Sequence, residues 1–266
     1  MYQRILVPVD GSSFSHQILP LVDAIAQTTG AQVALFRAVE QSDQRAAAES
    51  ELKALADARG AQAVAAEVGG NASDAILTEA GRVPGTLVAM TSHGRSGVMR
   101  AVMGSTALNV LRMGGNPLLV YRPHESGAPA AEQTGIERIF VPLDGSELSE
   151  SIVPQAVELA KWLKARLVVV SVIDPEAAEM VGGDASESGY VHGWASRIRH
   201  EHGVETGWEV LHGDPKEAIA QFVRGWPNSM LAMTTRGRTA LQSALVGGVT
   251  TAALRESGVP IYASLA

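Results

Sequence analysis

Short β-branched runs alternate along the chain with longer segments whose apolar residues recur every three or four positions, the rhythm of strands and helices. Ile5–Val9 reads as a buried strand, with Pro8 at its end, where a missing ladder donor matters least. Ser12 or Ser13 can cap the helix that follows, whose apolar stripe is Ile18, Val22 and Ile25. Pro20 falls inside that stripe and predicts a kink. Gln32–Val39 and Ala61–Val68 predict the second and third strands, separated by a helix over Ala46–Arg59; a further helix covers Ala72–Gly81. Thr86–Met90 predicts a fourth strand. The loop Ser92–Met103 then leads to a helix from Gly104 to Met113, stopped by Gly114 and Pro117. Leu118–Tyr121 is the last strand of this stretch.

The pattern is written twice. Arg4-Ile5-Leu6-Val7-Pro8-Val9-Asp10-Gly11-Ser12 returns as Arg138-Ile139-Phe140-Val141-Pro142-Leu143-Asp144-Gly145-Ser146, identical at seven of nine positions with an offset of 134. Pro20 returns as Pro154. Later the offset is 143: Ala89-Met90-Thr91 matches Ala232-Met233-Thr234, Gly94-Arg95 matches Gly237-Arg238, and Gly104 matches Gly247. The second copy therefore gains nine residues, expected between Asp174 and His212. Domains are expected over 1–123 and 137–266, joined by a linker at 124–136, whose stretch His124–Gly135 is small, polar and rich in Ala, Gly and Pro.

Strands alternating with helices predict an α/β fold: two tandem, open, doubly wound parallel five-stranded sheets. Right-handed crossovers most simply give strand order 3-2-1-4-5 in each. In such sheets ligands bind beyond the carboxyl ends of the strands, where the winding reverses between strands 1 and 4. Asp10-Gly11-Ser12 follows strand 1 and Thr91-Ser92-His93-Gly94 follows strand 4, so the two best-repeated motifs converge there. A helix starting at Gly104-Ser105-Thr106 would offer unpaired N–H groups, and Gly94 and Gly104 would let an anion approach the backbone. Arg95 and Arg100 lie in the intervening loop. Asp10 can accept from a ribose hydroxyl or a base amine. The same residues also fit plain loop punctuation, with Asp10 and Gly104 as helix caps and Gly94 as a turn.

Composition narrows the function classes. With 46% hydrophobic and 18% charged residues, the 266-residue chain can build packed cores. Its net charge of −7 argues against nucleic-acid binding, and its longest apolar run, near Leu167–Ile173, is too short for a membrane span. Residues 1–125 carry 10 Lys/Arg against 11 Asp/Glu and residues 126–266 carry 11 against 17, so a polyanion suits the first half better. The lack of cysteine excludes disulfides, thiol catalysis and Cys-bound metal. The N-terminus runs directly into a strand without a signal-peptide core, so a cytoplasmic chain is expected.

The V/I-P-x-D-G-S segment and the loop with Gly94, nine residues and Gly104-Ser105 resemble the V/I-P-x-D-G-S and G-x2-G-x9-G-(S/T) segments of the universal stress protein family, over nearly the whole chain and twice. The resemblance implies a Rossmann-like sheet of the adenine nucleotide hydrolase type, a stress-response role, a cytoplasmic location, and ATP as ligand, with or without Mg2+. It implies a first nucleotide site at Pro8, Val9, Asp10 and Val39, at Met90, Thr91, Gly94 and Arg95, and at Gly104, Ser105 and Thr106. A second, weaker site would use Pro142, Asp144 and Ile173, then Thr234, Gly237 and Arg238, then Gly247, Gly248 and Val249. The family often dimerises through its last strands; here Leu118–Tyr121 and Ile261–Ala263 could pair within one chain as a pseudo-dimer, with a further homodimer open.

This chain departs from the family pattern. Thr91 and Thr234 replace the first loop glycine. The second copy has Gly248 for Ser105, Ser243 for Arg100 and Arg236 for His93. Loss of one hydrogen bond to a charged group costs about 1.5–3 kcal/mol, so the second site should be weaker or empty.

Other chemistries fit less well. There is no Walker A and no G-x-G-x-x-G sequence. Ser92-His93 are sequence neighbours, which rarely face each other as nucleophile and base. His200-Glu201-His202, with His192 and His212, reads as a charged surface rather than a metal site, and Trp194 and Trp208 as packing residues. The alternatives to an ATP-binding regulator are a nucleotide-free interaction module acting through its pseudo-dimer surface and a slow ATPase with Asp10 or Asp144 as the sole evident base.

Overall fold

The computed structural model describes residues 1–39, 43, 45–93, 103–122, 135–173, 183–235 and 246–265. The chain divides into two compact units, Met1–Gly135 and Ile136–Ala266. The expected linker at 124–136 falls almost wholly outside the described residues.

The first unit runs β1 (Arg4–Pro8), α1 (Ser13–His16), α2 (Leu19–Thr29), β2 (Gln32–Val39), α3 (Arg45–Asp57), β3 (Gln62–Glu67), α4 (Ala72–Arg82), β4 (Thr86–Thr91), α5 (Ser105–Gly114) and β5 (Leu118–Tyr121). Its strands pair in parallel in the order β3-β2-β1-β4-β5. Ile5, Leu6 and Val7 of the central β1 are fully buried, as expected for a strand with both faces covered by helices. The second unit repeats the scheme with β6 (Arg138–Pro142), α6 (Glu147–Glu150), α7 (Val153–Leu163), β7 (Arg166–Ile173), α8 (Gly183–His202), β8 (Thr206–His212), α9 (Pro215–Arg224), β9 (Ser229–Thr234), α10 (Gly248–Glu256) and β10 (Ile261–Ser264). Its order is β8-β7-β6-β9-β10, again parallel. The switch point of each unit lies between its first and fourth strands, as the winding predicts.

Three local expectations are corrected. Pro20 does not kink one helix; the helix is two. The amide of Gln17 closes α1 on the Phe14 carbonyl at 3.2 Å, and Pro20 sits in the first turn of α2, where a missing N–H costs nothing. Pro154 does the same in α7. Gly114 is the last residue of α5 rather than its stop, and Gly115, at φ 61°, is the left-handed cap. The nine extra residues of the second copy are a net figure. Glu67 stands opposite Val39 and His212 opposite Ile173, so the third strands are 145 residues apart. The next helix caps, Asn71 and Asp214, are back to 143. Eleven residues enter before β8 and two leave after it. Seven of them show as helix, since α8 has 20 residues where α3 has 13.

Candidate ligand crevices at the strand ends

The loop after β1 is a turn within a turn. Gly11, at φ 81°, takes the left-handed conformation that reverses the chain. The Ser12 amide and hydroxyl donate to Asp10 Oδ1 at 2.9 and 2.6 Å, and Ser12 Oγ accepts from the Ser15 amide at 3.2 Å, capping α1. Asp144, Ser146 and Ser149 reproduce the arrangement at 3.0, 2.5 and 3.2 Å. Asp10 thus orders the loop while lining a crevice. The cap of α1 is Ser12 and not Asp10, and the loop-ordering role of Asp10 is compatible with a ligand role.

After β4 the chain is tightly tied. The Ser92 amide donates to the Tyr121 carbonyl at 2.8 Å, and the Gly104 amide to the Ser92 carbonyl at 2.7 Å. A Cβ on Gly104 would lie 3.1 Å from that carbonyl oxygen, tighter than an ordinary contact, so the close backbone by itself favours glycine there. Gly104 is the N-cap of α5; no side chain caps it, and the first turn carries no acidic residue. The positive end of the helix therefore faces the crevice without an internal counter-charge on its own first turn. Contrary to expectation, Ser92 and His93 do face each other, with Oγ 3.0 Å from Nδ1. Both side chains are buried, at 1% and 6% exposure, so the pair forms part of the strand-end packing.

Pro8, Val9, Asp10, Val39, Met90, Thr91 and Thr106 line one crevice of about 660 Å³. Gly104 and Ser105 stand at the same helix start but outside the lining. Gly94, Arg95 and Arg100 lie outside the described residues. Sequence reasoning missed Arg37, Asp43 and Glu51, which add charge to the wall. Arg37 was discoverable as the one charge interrupting the apolar run of β2. Beside the loop, burial lowers the pKa of His16; Asp10 opposes this, and Arg59 and Arg37 add to it.

The second crevice is smaller, about 120 Å³. Pro142, Asp144, Thr234, Gly247, Gly248 and Val249 line it, together with the apolar Leu143, Val170, Val172, Ile219 and Met233. Ile173 does not. Gly237, Arg238, Arg236 and Ser243 lie outside the described residues. The Gly247 amide donates to the Thr235 carbonyl at 2.5 Å, the counterpart of the Gly104 bond. Thr250, one position beyond the lost hydroxyls, donates to the Thr234 carbonyl at 3.1 Å and so does not replace them.

The histidines and tryptophans singled out in the sequence take structural roles. His200 and His202 lie in the last turn of α8, beside Arg199. His192 meets Trp208 edge-on at 6.0 Å, though Trp208 is 40% exposed. Trp194 lies under Arg197, 4.6 Å from its guanidinium, and donates to Glu150. Among the described residues no helix is long and apolar enough to cross a membrane.

A repeated open α/β sheet with a switch-point crevice in each half defines a tandem Rossmann-like fold. A model of the universal stress protein family matches residues 1–67, 37–122 and 135–263, and the chain belongs to that family. A universal stress protein of Methanocaldococcus jannaschii is 24% identical over 135 residues, 47% of this chain and 79% of that protein. One of Mycobacterium bovis is 24% identical over 185 residues, 66% of this chain and 60% of that protein. Among solved structures, a universal stress protein of Archaeoglobus fulgidus superposes with a TM-score of 0.71 at 18% identity, over 98% of this chain and 96% of that one. A functionally unknown protein of Pseudomonas aeruginosa gives 0.68 at 16% identity, over 99% and 92%. These structures share the fold.

Proposed function

We propose that the chain is an ATP-binding regulatory protein of the stress response, with its working nucleotide site in the first crevice and a weak or empty second one. One observation carries this reading. Residues from β1, β2, β4 and α5 converge on a crevice of about 660 Å³, within the range of about 300–1,000 Å³ usual for ligand sites. The second crevice, at about 120 Å³, is below it. Asp10 serves the ribose. The α5 N-terminus, with the Ser105 and Thr106 hydroxyls, serves the phosphates. Mg2+ would enter with the nucleotide rather than on a protein cage.

Calorimetric titration of the full chain with ATP tests the proposal. One binding event per chain is expected, weakened about ten- to a hundredfold by Thr106→Val, the cost of one charge-assisted hydrogen bond. Absence of heat removes the nucleotide reading. Unchanged affinity in Thr106→Val moves the ligand elsewhere. Gly104 is the wrong position for this test, because a side chain there meets the Ser92 carbonyl whether or not a ligand binds.

A further inference from the structure

Arg37 answers no need of the fold. It stands in β2, between the buried Phe36 and the half-buried Ala38, and pairs in register with Ala65 of β3. At the matching position of β7 the second unit carries Ser171, whose hydroxyl donates to Glu187 at 2.8 Å. The strand accepts a small neutral residue there. The first unit instead holds a guanidinium inside its crevice.

The geometry of that guanidinium is specific. It lies beside Gly11, with its nitrogens 2.8 and 2.9 Å from where a Cβ would stand. Gly11 is glycine for its positive φ; the guanidinium, the far end of a flexible side chain, would move aside from a Cβ. Among the described residues, the hydrogen-bond partner of Arg37 is Glu51, at 2.8 Å. The Arg37 side chain is 15% exposed and that of Glu51 is 67% exposed. An ion pair with one arm in solvent is weak, so Glu51 is easily displaced. A guanidinium shielded from water binds anions more strongly than one in solvent, and its planar fork matches phosphate.

Charge balance points the same way. Among the described residues, the other charged ones lining this crevice are Asp10, Asp43 and Glu51. Without Arg37, the described wall would repel a polyphosphate through all its charged side chains. We infer that Arg37 is the residue by which the first crevice selects phosphorylated over unphosphorylated ligands, leaving Glu51 to take a phosphate group of the incoming nucleotide. This rests on the nucleotide reading above. It also supplies a cause for the asymmetry independent of Ser105 and Thr106, since Ser171 cannot do the same.

The test uses the full chain with Arg37→Ser, which installs the residue the second unit already carries. ATP, adenosine and inorganic tripolyphosphate are titrated calorimetrically into the wild type, into Arg37→Ser and into Glu51→Gln. The expected result is a ten- to hundredfold loss of ATP affinity in Arg37→Ser with adenosine affinity and the unfolding midpoint unchanged. Tripolyphosphate should compete with ATP in the wild type and not in Arg37→Ser. Glu51→Gln should bind ATP severalfold more tightly, because the competing carboxylate is gone. If ATP binding in Arg37→Ser is unchanged, or falls in step with adenosine binding, the inference is overturned and the nucleotide reading stands. If the wild type binds neither ATP nor adenosine, both are overturned.

Discussion

Arg4 and Glu79 meet at 2.7 Å beneath the first sheet, with side chains only 5% and 7% exposed. The second unit keeps the arginine as Arg138 but has Phe222 in place of the glutamate. Arg138 there turns to the face of Trp226, 4.7 Å away, and Phe140 packs edge-on against Phe222 at 5.3 Å. One position was thus solved twice, by a buried ion pair and by an aromatic cluster.

Breaking the buried pair leaves an uncompensated charge, which costs about 3–5 kcal/mol. Glu79→Leu is expected to destabilise the first unit by that amount. Arg4→Met with Glu79→Leu should recover most of it, because an apolar pair fills the site without desolvating charge. All four tryptophans, Trp162, Trp194, Trp208 and Trp226, lie in the second unit, so their fluorescence reports the wrong half. Urea unfolding followed by amide exchange of β1 is the appropriate measurement. Equal loss in the single and double variants would refute the account.

Much of this fold was legible because its signals are local. The β-branched runs, the Ser12 and Ser146 caps and the glycine starts of α5 and α10 are each set by nearest neighbours, and duplication displays them twice. What escaped depends on tertiary context. Pro20 looked like a kink because nothing in the sequence shows that the chain reopens at Gln17. The insertion was misjudged because β8 shares no residue pattern with β3, so its register emerges only from pairing. Of the candidate site, the residues of β1, β4 and α5 were legible from their motifs. Arg37 was legible only as a charge interrupting an apolar strand, a pattern that more often marks a solvated face, and its place in the crevice wall emerges only from the fold.

His16 ties stability to pH. Burial favours its neutral form and lowers its pKa below the ordinary 6.5, with Asp10 opposing and Arg59 and Arg37 assisting. As pH falls through 6.5 the unfolded chain takes up this proton before the folded one does, so stability decreases. The increment is complete above 6.5 and declines below it. His16→Gln should flatten the dependence of the first unit's unfolding midpoint on pH between about 5 and 7. An unaltered slope would assign the dependence to other groups.

Glu150 anchors the long helix of the second unit. Its Oε1 accepts from the Tyr190 hydroxyl at 2.7 Å and from the Trp194 indole at 3.3 Å, joining α6 to α8. Burial, and then the hydrogen bond to Glu150, push the Tyr190 pKa well above its usual value. Tyr190 should therefore stay protonated when an ordinary tyrosine titrates near 10. Stability from this group is present below pH 10 and is lost only as pH rises through the higher folded value. Glu150→Ala removes the acceptor and should cost about 1–3 kcal/mol, since two part-buried donors lose their partner. Trp194 emission and an ultraviolet titration of Tyr190 read both effects; a Tyr190 titration unmoved by the substitution would sever the proposed link.

Restoring the lost hydroxyls should not by itself convert the second crevice. Gly248 and Val249 stand where Ser105 and Thr106 stand, and Val172 stands where the first unit has Ala38. A Cβ at 248 would come 3.0 Å from Lys216 Cε, the flexible end of an exposed side chain that can move aside. Gly248→Ser with Val249→Thr restores the hydroxyls but not the room, because the crevice measures about 120 Å³ against about 660 Å³. That double variant should still bind one ATP per chain. Adding Val172→Ala removes only two methyl groups from the wall, too little to reach the range of about 300–1,000 Å³ usual for ligand sites, and leaves Ser171 in place of the arginine, so the triple variant should also bind one ATP per chain in calorimetry. A second event in either variant would show that volume is not limiting.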